Sequence, residues 1–177
     1  MKEIILKVKY LFLVIVLFLL PNISCSANII VGFSPYGNAQ KVVLMAIHDA
    51  HEHIDIAAYG FTSKLISFAL LEAHQKGIKI RVIGDKKANH GKYTAITFLR
   101  NKGISVRLNG QYAIHHNKFI IVDNKSVQTG SFNYSQNAAY KNAENVVYIK
   151  NEPEIARLYI EEFERLWNEA QTIQPKY

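Results

Sequence analysis

Short apolar runs recur along the chain between segments of helical period, and this alternation limits the fold more than any other feature. The runs are Asn28 to Phe33, Ile54 to Tyr59, Ile78 to Ile83, Ile104 to Leu108, Phe119 to Val122, Val127 to Thr129 and Asn145 to Ile149. Each has the length of a strand, and most are rich in β-branched residues. Between them, Asn38 to His51 places Val42, Val43, Ala46, Ile47 and Ala50 at helical spacing. Ser63 can cap a second helix that stops at Gly77 and carries Leu65, Ile66, Ala69, Leu70 and Ala73 on its inner stripe. Tyr93 to Lys102 is a third helix, and Asp85 to Lys92 before it is a polar loop. Asp123 to Lys125 form a tight turn, so the two runs around them make a hairpin. Asn151 caps a last helix, with Pro153 in its first turn and Ile155, Leu158, Tyr159, Phe163, Leu166 and Trp167 inward. Strands without polar alternation need cover on both faces. The fold expected is therefore an α/β sandwich, a mixed β-sheet between helices, in a single domain.

The first residues read differently. Lys2, Lys7 and Lys9 precede the apolar run Tyr10 to Leu20, then Pro21 and the small residues Ser24, Ser26 and Ala27. This is the pattern of a secretory signal over residues 1–26, cut after Ser26 or Ala27. It implies a periplasmic or secreted domain over 27–177. An uncleaved membrane anchor is the alternative, although the run falls short of the roughly 20 residues a span needs. A lipoprotein reading through Cys25 is disfavoured by Asn22. Cys25 is the only cysteine, so the cleaved chain has no disulfide and no cysteine-based zinc site. Cleavage would lower Lys+Arg from 21 to 18 and Asp+Glu from 14 to 13, changing the net charge from +7 to +5. A basic domain favours an anionic partner, a nucleic acid or an anionic lipid surface.

The chemistry concentrates in IHHNKFIIVDNKSVQTGSFNYSQN, residues 114–137. His116 and Lys118 are two apart ahead of a strand and so share a face. A phosphodiester carries a negative charge that must be neutralised before a nucleophile can approach. Lys118 supplies a compact cation, and Ser131 and Asn133 supply neutral donors. His116 supplies an imidazole, a group that titrates near neutrality and can act as nucleophile or acid. An imidazole works better when a carboxylate holds its far nitrogen, and Glu144, just ahead of a strand, is the candidate. His48, His51 and His53 invite a metal reading, but no pair of carboxylates completes such a site and a structural role is favoured. Phe132 and Tyr134 could stack bases or pack in the core.

His116, Lys118, Asp123 and Gly130-Ser131 stand at the spacing HxK(x)4D(x)6GS, which resembles the signature of the phospholipase D superfamily. IDIAAYGFTS at 54–63, NAENV at 142–146 and RLWN at 165–168 are similar to its small, single-motif bacterial nucleases. The resemblance implies metal-independent phosphodiester hydrolysis through a phosphohistidine, with no cofactor. It maps His116 as nucleophile, Lys118 and Asn133 as phosphate ligands, and Ser131 and Glu144 as their support. Asp123 belongs to the motif's catalytic set, but on an alternating strand it points away from Lys118 and reads as a turn-fixing acid. His115 reads as a neighbour that shapes the site. The implied mechanism needs two histidines and the chain has one motif, so a C2 homodimer with one shared site is expected. The expected substrate is DNA, with RNA as a further one. A phospholipid is the alternative, weakened because no apolar interfacial loop is evident after residue 27. A non-catalytic nucleic-acid-binding module is the reading from another class.

Overall fold

A computed structural model describes residues 28–91 and 94–174. The secretory-signal reading and Cys25 lie outside the described residues. The elements are β1 (Asn28–Ser34), α1 (Ala39–His48), β2 (His53–Ala58), α2 (Lys64–Gln75), β3 (Lys79–Asp85), α3 (Ala95–Asn101), β4 (Ser105–Asn109), β5 (Lys118–Val122), β6 (Ser126–Gly130), α4 (Gln136–Tyr140), β7 (Glu144–Lys150), α5 (Pro153–Glu169) and β8 (Gln171–Thr172). One eight-stranded sheet runs β1-β7-β6-β5-β2-β3-β4-β8. The pairs β2–β3 and β3–β4 are parallel and the rest antiparallel, so the sheet is mixed as expected.

Alternation along the strands sorts the core into two layers. Ile54, Ile56, Ile120 and Val122 join the larger cluster with Val42, Ile47 and Leu70 of the helices on one face. Ala57, Phe119 and Ile121 point the other way, onto Phe163 and Leu166 of α5. α5 packs over β4, β5 and β6. β1 lies beyond it. Gly32 lets α1 approach, since a Cβ there would stand 2.9 Å from the Ala39 Cα. Its neighbours Val31 and Phe33, with Ile29, face the opposite side and remain exposed.

Register gathers the chemistry at one rim. Ala58 pairs with Lys118, Phe119 with Thr129, Gly130 with Val146, and Ser34 with Glu144. The ends of β3 and β4, Asp85 and Asn109, pair on the same rim. These are the carboxyl ends of the parallel strands, where α/β sheets carry ligands.

Five expectations need correction. Asn151 does not cap the last helix. It takes a positive φ of 57°, and its N–H donates to Ser126 Oγ, while Glu152 sits at the N-cap without a side-chain bond. Leu158 does not face inward but is 57% exposed, beside the rim. Leu65, expected on the inner stripe of α2, is 51% exposed, because it stands one position off the face that buries Ile66, Ala69, Leu70 and Ala73. α3 begins at Ala95, with Thr94 Oγ1 accepting from Thr97 N, rather than at residue 93. The sequence reading contained neither α4, capped by Ser135, nor the two-residue β8.

Candidate active site

Lys118 opens β5, and His116 stands two residues earlier on the same face. The Lys118 Nζ donates to the His116 carbonyl at 2.6 Å and lies 5.2 Å from the centre of the Tyr59 ring. That ring is itself 4.6 Å from the His116 imidazole, at a tilt of 55°. His116 is exposed, whereas Lys118 is 7% exposed. Burial pushes the Lys118 ammonium below its usual pKa, and the Glu144 charge offsets this only in part. Among the described residues no carboxylate lies within ion-pair distance of Lys118. The result is a partly dehydrated cation with its charge unspent, which gains most from an incoming anion. The open cleft at this point is bounded by His116, Lys118, Thr129, Leu158, Tyr159 and Glu162.

Ser131 is placed by a tight crossing. Gly130 takes a φ of 151°, and a Cβ there would stand within 2.3 Å of the Asn145 carbonyl oxygen, so only glycine fits. Ser131 N then donates to Asn145 O at 3.1 Å. The Ser131 hydroxyl donates to Glu144 Oε2 at 2.6 Å and accepts from Asn145 N at 3.1 Å. Glu144 Oε1 accepts from Asn142 Nδ2 at 3.0 Å. Glu144 therefore orients Ser131, and it does not hold the imidazole of His116 in this chain. The reason is register, because Glu144 is on β7, two strands from β5 and so roughly 10 Å across the sheet. Asn133 is half-buried, and its Oδ1 has no hydrogen-bond partner among the described residues.

Asp123 does not join this group. It sits at the other end of β5, in the turn, with a φ of 49°. Its carboxylate accepts the N–H groups of His51, Glu52 and His53 at 2.9–3.2 Å. Burial alone would raise its pKa, but those three donors outweigh it and hold the carboxyl below its usual value. The motif acid thus lies apart from His116 and Lys118, at the opposite end of β5, and ties the β5–β6 turn to the start of β2. Phe132 and Tyr134 are fully buried, and Tyr134 Oη donates to Gln128 Oε1, so neither can stack a base. His48 and His51 are exposed on the far side, and His53 Nε2 meets Asp55 Oδ2 at 2.7 Å.

Three contributors were missed. Tyr59 packs on both His116 and Lys118. Asp85 and Asn89, both buried, bond to the backbone on either side of the cleft. His115 was seen only as a neighbour. It is buried, its Nε2 has no partner among the described residues, and burial pushes its pKa down against the pull of Asp85. The available signal was position, since Tyr59 and Asp85 end the runs that a parallel sheet would bring to the ligand rim.

Residues 43–167 match the family model described as "Cardiolipin synthase, PLD-like domain". The chain is 34% identical over 135 residues to a phospholipase D of Rickettsia prowazekii (strain Madrid E), covering 76% of this chain and 65% of that protein. It is 35% identical over 136 residues to the mitochondrial cardiolipin hydrolase of Homo sapiens, covering 76% of this chain and 54% of that one. The chain thus spans just under two thirds of the first relative and about half of the second. Among solved structures, it is similar to the phospholipase D family member Nuc from Salmonella typhimurium. That match has a TM-score of 0.82 and 37% identity, over 84% of this chain and 99% of that one.

Proposed function

The chain belongs to the phospholipase D superfamily, and from that premise we propose that it is a metal-independent phosphodiesterase. Its substrate is DNA, with RNA as a further one, cut by an endonuclease mechanism at a site shared by two copies of the chain. The observation that carries this reading is the pairing of an exposed imidazole with a partly dehydrated ammonium that has no carboxylate within ion-pair distance among the described residues, at the open end of β5. Lys118 and Asn133 draw in the phosphate oxygens, and Ser131, fixed by Glu144, lines the same rim. A ring nitrogen of His116 bonds to phosphorus as the bond to the leaving oxygen breaks. A second imidazole protonates that oxygen. Water then attacks the phosphorus, gives a proton to the second imidazole, and displaces His116.

The second imidazole is the partner's His116. Within the chain, the adjacent His115 is buried and cannot reach a leaving group. A partner surface is supported by exposed apolar side chains, Leu158 of α5 at the cleft and Ile29, Val31 and Phe33 on the edge strand β1, which are 46–60% exposed. The net charge of +5 that cleavage would leave, 18 basic against 13 acidic residues, and the exposed Lys86 and Lys87 on the rim loop support a polyanion over a bilayer. The N-terminal lysines and apolar run support a periplasmic or secreted location. One observation favours a phospholipid as second reading. Phe68 and Phe98, with Ala95 beside them, line an apolar groove between α2 and the start of α3 that the sequence did not reveal. Incubation with plasmid DNA and with labelled phosphatidyl lipid, both in excess EDTA, tests the reading. Nicking of DNA in chelator is expected. Turnover of lipid alone would move the substrate to the second reading, and activity only on Mg²⁺ addition would overturn the mechanism.

A further inference from the structure

Asp85 closes β3 and is 2% exposed, yet no cation pairs with it among the described residues. Its carboxylate is spent on two backbone donors. Oδ1 accepts from Ala88 N at 2.7 Å, which folds the loop after β3. Oδ2 accepts from His115 N at 2.8 Å, one residue before His116. The loop so folded places Asn89, 1% exposed. Asn89 Nδ2 donates to the Tyr59 carbonyl at 2.6 Å and to the Asp85 carbonyl at 2.9 Å, and its Oδ1 accepts from Phe61 N at 3.2 Å. Two buried side chains therefore join three separate segments. One carries Tyr59, one is the loop, and one carries His116 and Lys118. The side chains of Tyr59, His116 and Lys118 then meet over the clamp.

An Asp bonded to backbone N–H groups is often only a loop staple, as Asp123 is at the opposite rim. Asp85 differs in what it holds. The segment 110–117 between β4 and β5 has no regular structure, and His116 is exposed, so its own side chain does little to place it. The buried bond to His115 N fixes the backbone one residue away. We propose that Asp85, with Asn89, is a positioning residue for His116, setting the imidazole and the Tyr59 ring at the phosphate with neither acid nor amide touching substrate. The inference rests on the phosphodiesterase reading for its consequence in rate, but its geometry can be read without turnover. Displacement of a reacting group by about 1 Å costs on the order of a hundredfold in rate.

The test compares Asp85→Asn with Asp55→Asn. Both acids are buried, but Asp55 pairs with Arg81 and His53 away from the rim. Asp85→Asn puts an NH₂ against one of two backbone donors. It should lower kcat for DNA cleavage by about ten- to a hundredfold, with KM within about threefold of the wild-type value, and speed amide exchange at His115. Asp55→Asn should lower the melting temperature while kcat per folded chain stays within about twofold. Asn89→Ala should repeat the kcat loss and serves alone if Asp85→Asn does not fold. Wild-type kcat in the folded variants, unchanged exchange at His115, or a kcat loss that follows melting temperature as in Asp55→Asn would overturn the proposal. If the wild-type chain cleaves no phosphodiester, the function reading fails, and exchange at His115 still decides the clamp.

Discussion

At the scale of single residues, the account depends on an imidazole and an ammonium with different tasks. His116→Ala should abolish turnover while folding and DNA affinity largely survive, because the cationic surface supplies most of the binding. Quenching the wild-type reaction in alkaline detergent should trap substrate on His116 as a phosphoramidate, stable in base and lost in acid. An adduct on a serine, or a His116→Ala chain that keeps more than a few per cent of the rate, would remove His116 from the role. Lys118 makes a pH prediction. Burial lowers its pKa below 10.5, and the charged form is the one that binds phosphate, so kcat/KM should fall on the alkaline side below that pH. Glu144 pulls the pKa back up, so Glu144→Gln should move the alkaline limb to still lower pH. An alkaline limb that stays in place in this variant would show that Lys118 is not the group titrating.

At the scale of elements, the hairpin β5–β6 is anchored at its turn by Asp123 and carries the site at its other end. Asp123 is depressed by its three backbone donors, so its contribution to stability is present above the unfolded value of about 3.8 and is lost as pH falls through the lower folded value. Asp123→Asn should therefore lower the melting temperature at neutral pH and flatten its fall in acid. A variant with wild-type melting behaviour across that range would show that the turn does not need the acid. The strands, the first two helices and the motif were legible because apolar period and spacing are local properties. The His116 and Lys118 side chains both meet the Tyr59 ring, in keeping with their two-residue spacing. What was not legible depended on register. Glu144 is close in sequence to Ser131 but two strands from His116, and only pairing with Ser34 and Val146 with Gly130 settles which of the two it serves. Asp85 and Asn89 act on segments about thirty residues distant, through backbone groups that leave no trace in sequence. Leu158 fits the helical stripe of α5, yet α5 ends its cover at β6 and leaves that position in the open. α4 is too short to show a period.

At the scale of the molecule, the sheet presents one rim that carries the exposed His116, and its edge strand β1 leaves Ile29, Val31 and Phe33 uncovered. The central claim is that two copies complete one site, each lending His116 to the same phosphate. An interface with two-fold symmetry brings the same residue from both chains to its axis. A mixed dimer of wild-type and His116→Ala chains would then hold one imidazole, and would have a nucleophile without an acid or the reverse. The deciding measurement is a titration in which wild-type and His116→Ala chains are co-refolded at varying wild-type fraction and assayed on DNA. Activity per total chain is predicted to follow the square of that fraction, whereas a straight line through the origin would contradict the shared site even in a protein that sediments as a dimer.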